Sequence, residues 1–153
     1  MNGRSVCAVR YPRGGENSNL AAVCHTQNWQ LLNERPDKQN LIVTYGRISS
    51  EALTAAQSLH SAVLKLTKIY PLDEEVFDLM KQYEHILFVE EGIKTGGLAQ
   101  YVGAELLERK YSGQYCVRAV ENCFVPHASP AEATQLCRLD SESIINDYSE
   151  FFK

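Results

Sequence analysis

Four side chains in the second half of the sequence are of the types that bind zinc: Cys116, Cys123, His127 and Cys137. The first two are seven residues apart, whereas structural zinc sites usually space paired ligands by about two to four residues. The chain has five cysteines, an odd number, and no C-x-x-C pair. This pattern is typical of free thiols in a reducing compartment, so we expect neither a bound metal nor a disulfide framework.

A glycine-rich stretch is the second candidate for chemistry. Gly92, Gly96 and Gly97 follow an apolar run and precede a helical pattern, which is where phosphate-binding loops occur. Their spacing matches neither G-x-G-x-x-G nor the Walker pattern, and Glu90 and Glu91 immediately before them would repel an anion. We therefore expect a tight turn and close helix packing here.

The remaining titratable candidates also have structural interpretations. The acidic cluster Asp73, Glu74, Glu75 and Asp78 has the carboxylates of a glycosidase only by composition, and its place at the start of a helical pattern predicts helix capping. His127 has no acidic partner or nucleophile at an informative spacing. We expect a surface or hydrogen-bonded loop histidine, with a role in the substrate channel of a larger enzyme as the alternative.

Composition limits the function classes. The chain has 153 residues, of which 44% are hydrophobic, which suits one compact domain without a separate cofactor-binding domain. With 15 Lys and Arg against 19 Asp and Glu there is no basic stripe, so we expect no nucleic-acid partner. No apolar run approaches the ~20 residues that span a bilayer, and residues 1–13 lack the apolar core of a signal peptide. A cytoplasmic protein without a membrane partner is expected.

The elements that must position any site follow an alternating pattern. Strands are predicted at residues 6–11, 29–32, 41–45, 62–68, 86–89 and 115–120, and helices are predicted from Ser50, Asp73 and Leu98 and over residues 140–152. Residues 14–19 and 33–40 have loop composition. The alternation of strands and helices predicts a parallel sheet covered on both faces, an α/β fold with three α/β/α layers.

Several motifs, in this order, resemble the C-terminal domain of the transketolase superfamily. They are V-T-Y-G at residues 43–46, P-L-D-E at 71–74 and V-E-E at 89–91 with the following G-G at 96–97. The beta subunits of 2-oxo-acid dehydrogenases share these pieces. R-Y-P-R-G at 10–14, F-V-x-H-x-S at 124–129 and L-D-x-E-S-I at 139–144 are similar to the 1-deoxy-D-xylulose-5-phosphate synthase family. Ala128, where Gly is usual, and the 14–40 connection depart from that family.

The resemblance implies both a fold and a domain organisation. The fold would be a five-stranded, mostly parallel sheet in which the edge strand at residues 29–32 runs antiparallel. Residues 1–13 would be a remnant strand of the preceding pyrimidine-binding domain, residues 14–28 a linker, and residues 29–153 the transketolase C-terminal domain. The chain would then be a fragment whose partners are the missing N-terminal and pyrimidine-binding domains, in an enzyme expected to be a homodimer.

The resemblance also implies an activity that this chain cannot perform alone. Enzymes of the synthase family are transferases that condense pyruvate with glyceraldehyde 3-phosphate, in the biosynthesis of isoprenoid precursors and thiamine, with thiamine diphosphate and Mg²⁺. They hold the cofactor through a Gly-Asp-Gly motif, which this sequence lacks, and polarise it with a Glu of the pyrimidine-binding domain. We therefore expect no catalytic, cofactor-binding or metal-binding residue in the chain.

One substrate contact is implied by the resemblance. In the family an arginine of R-Y-P-R-G binds the phosphate of glyceraldehyde 3-phosphate, which suits a planar guanidinium. Arg10 is the better match and Arg13 the second, and Arg13 could instead only solvate the turn after the strand. Two alternatives to the synthase remain open: a non-catalytic assembly or regulatory module with the same fold, and a 2-oxo-acid dehydrogenase beta subunit, which R-Y-P-R-G disfavours.

Overall fold

The computed structural model describes residues 6–11, 20 and 27–153. Within these ranges lie five strands, β1 (Trp29–Leu32), β2 (Asn40–Tyr45), β3 (Ala62–Leu66), β4 (His85–Ile93) and β5 (Gln114–Val120), and five α-helices, α1 (Ser49–Leu59), α2 (Glu74–Met80), α3 (Leu98–Glu108), α4 (Pro130–Leu136) and α5 (Ser141–Phe151). A 3₁₀ turn, Gly46–Ile48, joins β2 to α1. None of the described helices is long and apolar enough to cross a membrane.

The strands form one mixed sheet in the order β1-β3-β2-β4-β5. β1 pairs with β3 antiparallel, and the other pairs are parallel, which confirms the predicted sheet and its antiparallel edge strand. Two bounds differ from the sequence prediction. β3 ends at Leu66 instead of continuing to Lys68, and β4 continues to Ile93 with an irregular register against β5 after Val89.

The central strands of the sheet are apolar on both faces, and helices cover both faces. One face packs on α2 and α3 through alternate strand residues, namely Leu41, Val43, Leu64, Ile86 and Phe88. The opposite face packs on α1 and α5 through the intervening residues, namely Ile42, Val63, Leu87 and Val89. This period of two places successive residues of each strand in different clusters and confirms the three-layer α/β/α architecture.

The closing helix α5 is held to the sheet by a buried charge as well as by apolar contacts. Asp147 is fully buried and forms ion pairs with Arg118 on β5 and with Arg138 in the turn before the helix. A buried carboxylate is tolerated only when it is paired. The predicted amphipathic helix over residues 140–152 is confirmed as Ser141–Phe151, with Ile144 and Tyr148 in the core.

The structure differs from the sequence prediction at one strand and at one helix. The predicted strand at residues 6–11 does not form; its side chains, among them Val6, Val9 and Tyr11, are exposed, and no described strand pairs with it. Helix α4 was not predicted, although Ser129 and Glu132 form a capping box around Pro130 at its start, which is a readable signal for a helix N-terminus.

Candidate functional site

The candidate site lies at the carboxyl edge of the sheet between β2 and β4. The chain leaves β2 for β3 on one side and leaves β4 for β5 on the other. Open α/β sheets bind ligands in the crevice at such a switch point. Thr44 of β2 is in register with Val89 of β4, so the next residues, Tyr45 and Glu90, meet at the crevice on the face that carries α3.

The crevice is occupied by the carboxylate of Glu90, which is completely buried. Its Oε2 accepts hydrogen bonds from the Tyr45 hydroxyl at 2.8 Å and from the Leu98 amide at 3.2 Å, and its Oε1 accepts one from the Ala99 amide at 3.1 Å. Leu98 and Ala99 are the first residues of α3, whose free amides and positive dipole end favour an anion. The position where a phosphate would bind is therefore filled by the protein's own carboxylate.

The neighbouring glycines make room for this carboxylate. A Cβ at Gly97 would lie 2.2 Å from Glu90 Oε1 and 2.5 Å from the carbonyl oxygen of Ile93, and a Cβ at Gly92 would lie 2.9 Å from Glu90 Oε2. Gly96 has a φ of 81°, which L-residues rarely adopt. The prediction of a tight turn and close packing, in place of a phosphate-binding loop, is confirmed.

Tyr45 connects the buried carboxylate to the surface. Burial raises the pKa of the Tyr45 hydroxyl to about 12, helped by its hydrogen bond to Glu90 and by the charge of Glu90. The charge of Arg10 acts on that pKa in the opposite direction. The phenol is therefore protonated at neutral pH, with its single proton donated to Glu90 and its lone pairs able only to accept from other donors.

Of the two arginines predicted to bind phosphate, the structure describes Arg10. Arg10 belongs to the exposed segment 6–11, and its positive charge acts on the pKa of Tyr45. Among the described residues it forms no ion pair with a carboxylate. Arg13 lies outside the described residues.

A second polar cluster beside the crevice has a structural role. Arg47 follows β2 and donates from Nε to Glu91 Oε1 at 2.7 Å and from Nη2 to Thr134 Oγ1 at 2.8 Å, which ties α4 to the rim of the sheet. The adjacent cleft, about 520 Å³, is also lined by Glu51 and Ser141. Glu51 accepts a hydrogen bond from the Ser141 amide at 3.0 Å. Because these groups bond to one another, the cleft holds neighbouring elements together: Arg47 bonds to β4 and α4, and Glu51 of α1 bonds to the start of α5.

The other sequence candidates lie apart from the crevice. Asp73 occupies the N-cap position of α2 as predicted, but its carboxylate accepts from Lys68 and Asn28, at 2.8 Å each, and makes no capping bond. Glu74 binds Arg109 at 2.6 Å. His127 is exposed. In the part of the chain that the structure describes, no group of three or more His, Cys, Asp or Glu side chains could hold a metal ion.

The sequence interpretation missed the part played by Tyr45 and treated Glu90 only as a charge that repels anions. A signal for both was present. Tyr45 lies two residues after Val43, and Glu90 two residues after Phe88. Each is therefore on the same face of its strand as those core residues, the face that packs on α3. A carboxylate at the end of such a row must find hydrogen-bond donors, and a tyrosine at the same level of the adjacent strand can supply one.

Sequence comparisons relate the chain to one family. The family model described as "Transketolase, C-terminal domain" matches residues 28–144. The 1-deoxy-D-xylulose-5-phosphate synthase of Treponema pallidum is 30% identical in an alignment 146 residues long, which covers 90% of this chain and 23% of the relative. The synthase of Thermotoga petrophila is 27% identical over 95% of this chain and 24% of its own length. The chain thus spans about a quarter of these relatives.

Solved structures share the fold. A split-gene transketolase, described as an inactive beta4 tetramer, matches 80% of this chain and 41% of its own chain with a TM-score of 0.69 at 22% identity. The 2-oxoglutarate:ferredoxin oxidoreductase of Magnetococcus marinus matches 83% of this chain and 20% of its own with a TM-score of 0.59 at 16% identity. At these identities the likeness concerns the architecture alone.

Proposed function

The chain belongs to the transketolase C-terminal domain family, and from this we propose that it is the C-terminal domain of a 1-deoxy-D-xylulose-5-phosphate synthase. The observation that carries the proposal is the alignment of synthases over 90–95% of the chain at 27–30% identity. In the complete enzyme, a two-carbon unit from pyruvate is joined to glyceraldehyde 3-phosphate. The N-terminal and pyrimidine-binding domains supply the remaining three quarters, in a cytoplasmic homodimer.

The cofactor of such an enzyme, thiamine diphosphate with Mg²⁺, does not fit the described residues of this chain. Its diphosphate would need either a free helix N-terminus or a metal. The N-terminus of α3 is occupied by the Glu90 carboxylate, and the described residues offer no cluster of three metal-binding side chains. We therefore place the cofactor, which carries the carbanion chemistry, on the other domains.

Arg10 is the residue that we propose to contact substrate. Its side chain is exposed and has no carboxylate partner among the described residues. A guanidinium without an internal anion can donate two parallel hydrogen bonds to a phosphate. Arg10 would bind the phosphate of glyceraldehyde 3-phosphate, remote from the reacting carbon, and Arg13 is the second candidate for the same contact.

Two measurements test this proposal. The first is to read the coding DNA upstream of Met1. A frame that continues into a Gly-Asp-Gly motif and a pyrimidine-binding domain supports the synthase, whereas a start codon with its own ribosome site supports a stand-alone assembly or regulatory module.

The second measurement is the kinetics of Arg10→Ala in the complete enzyme, with Arg13→Ala as the matched variant. Loss of a charge-assisted hydrogen bond, roughly 1.5 to 3 kcal/mol, should lower kcat/KM for glyceraldehyde 3-phosphate about 10 to 150-fold. Pyruvate decarboxylation should stay nearly unchanged, because the lost contact is far from the reacting carbon. Equal losses in both steps would contradict the assignment of Arg10 to the phosphate.

A further inference from the structure

Four of the exposed large apolar side chains in the described ranges lie along one edge of the sheet. Tyr70 follows β3, Ile93 ends β4, Tyr101 is in the first turn of α3 and Phe124 follows β5. Their exposed fractions are 74, 50, 37 and 95% respectively. Because β3, β4 and β5 are parallel with β2, all four residues lie at the carboxyl edge of the sheet. We call these four residues the rim.

Short contacts link the rim residues to one another. The rings of Tyr70 and Tyr101 meet edge-on, with centroids 6.1 Å apart. The loops after β4 and β5 are joined by Asn122, which donates from Nδ2 to Thr95 Oγ1 at 2.6 Å and accepts at Oδ1 from the Thr95 amide at 3.3 Å. The other two rim residues are each two positions from this pair. Single exposed apolar side chains are common, whereas an aromatic-rich row of them is typical of an interface.

The chain enters the domain at the same edge. The carbonyl oxygen of Asn28 accepts hydrogen bonds from the amides of Thr67 and Lys68, at 2.8 Å each, just beyond the carboxyl end of β3. The Asn28 side chain donates to Asp73 Oδ2 at 2.8 Å. These bonds fix residue 28 next to the loop that carries Tyr70. A domain that precedes residue 28 therefore begins beside the rim.

From this placement we propose that the rim is the surface on which the preceding domain packs, through an apolar surface of its own. The proposal rests on the proposed function, in which this C-terminal domain is about a quarter of a longer enzyme. The crevice at the same edge is filled by Glu90, which suits a packing partner better than a small ligand. In the described segment 6–11 the side chains of Val6, Val9 and Tyr11 are exposed too, so the preceding chain has apolar groups to match the rim.

Amide hydrogen exchange, measured in this chain and in the complete enzyme, tests the packing. The amides of residues 69–70 and 124–125 should exchange at least about 10-fold more slowly in the complete enzyme, because the partner domain excludes water from them. Residues 112–113, at the opposite edge of the sheet, are the control and should exchange equally in both. Equal rates at the rim would overturn the proposal. Slowing that grows with the concentration of this chain would assign the rim to a second copy and would also overturn it.

Two variants matched in exposure separate packing from local structure. Phe124→Ser and Leu107→Ser each remove an exposed apolar side chain, and Leu107 is at the opposite end of α3 from the rim. Tyr70 and Phe124 follow strands three intervals apart in the sheet, about 14 Å, so neither supports the other within this domain.

A shared partner would nevertheless couple these two ends of the rim. In the complete enzyme Phe124→Ser should raise the exchange rate at residues 69–70 about 5 to 10-fold, and Leu107→Ser should leave it unchanged. In this chain both variants should keep the wild-type rate. Equal effects of the two variants, or an effect of Phe124→Ser already in this chain, would make the role of the rim structural.

The same preparations separate the packing from the synthase assignment, because their condensation of pyruvate with glyceraldehyde 3-phosphate can be assayed alongside. An active complete enzyme whose rim exchanges as it does in this chain would overturn the packing and leave the proposed function intact. A longer protein with slow exchange at the rim and no such activity would support the packing and contradict the proposed function.

Discussion

Replacing Gly97 with alanine tests whether Glu90 is seated in the crevice. Gly97 has φ −73° and ψ 169°, a conformation that alanine adopts without strain. The added Cβ would lie 2.2 Å from Glu90 Oε1 and 2.5 Å from the Ile93 carbonyl oxygen, far inside van der Waals contact. The whole effect of the substitution therefore comes from the clash with the carboxylate and its surroundings.

The expected loss in the free energy of unfolding of Gly97→Ala follows from the groups that must move to make room for the new Cβ. To relieve the clash, either the start of α3 or the Glu90 side chain must shift by roughly 1 Å, about the shortfall from an ordinary van der Waals separation. The amide bonds from Leu98 and Ala99, now 3.2 and 3.1 Å long, would then leave hydrogen-bonding range. Losing two hydrogen bonds to a buried charge should destabilise the fold by about 3 kcal/mol, more than a typical single substitution.

Urea unfolding measures this loss. The chain has a single tryptophan, Trp29, on the edge strand β1, so its fluorescence and far-UV circular dichroism give two independent probes. With a slope of about 2 kcal/mol per molar urea, the midpoint of Gly97→Ala should fall by about 1.5 M.

Gly96→Ala is the control, because its φ of 81° carries backbone strain while its Cβ would meet nothing within 4 Å. It should cost about 1 kcal/mol. If Gly97→Ala destabilised the chain no more than Gly96→Ala does, Glu90 would not occupy the crevice.

Four further predictions concern charge and ligand. Asp147→Asn leaves two arginines facing a buried amide and should lower stability by about 2 to 4 kcal/mol in urea unfolding. Glu74→Gln, in an exposed pair, should barely move the midpoint. Burial raises the pKa of Tyr45 and of Tyr111 to about 12, so their contribution to stability is complete below about pH 10 and is lost as pH rises to 12; a melting temperature constant over that range would contradict this. Calorimetry of the chain with thiamine diphosphate and Mg²⁺ should detect no binding at or below about 10 μM.

The sheet could be predicted from the sequence because its strands are short apolar runs that alternate regularly with helical patterns. Alternate residues of β2, β3 and β4 are apolar on both faces, and such runs, separated by helical patterns, suit a covered parallel sheet. The irregular register that lengthens β4 beyond Val89 leaves no comparable signal. Helix α4 has too few apolar residues to show helical periodicity, and its sequence signal is the capping box at its start.

The candidate site could be predicted only in part. Motif resemblance proposed Arg10 as a substrate contact, which stays a prediction, and the glycine spacing with the acidic pair predicted the tight turn and close packing that the structure shows at Gly96 and Gly97. The hydrogen bond between Tyr45 and Glu90 joins positions 45 residues apart on two strands, and no local pattern indicates that the two side chains meet. Arg10 lies in a segment whose composition predicted a strand that does not form, so the sequence did not indicate where that segment lies.

The filled crevice bears on our proposal that this acidic chain contacts an anionic substrate. With a net charge of −4 and a carboxylate at the switch point of its sheet, the domain repels a phosphate from the place where open α/β sheets usually receive one. Hydrogen bonds from two amides and a phenol hold that carboxylate in place, so these donors are not available to a second anion. In our proposal the phosphate therefore binds away from the crevice, on Arg10 of the exposed segment 6–11. That role needs a guanidinium without an internal anion, and it needs no cofactor.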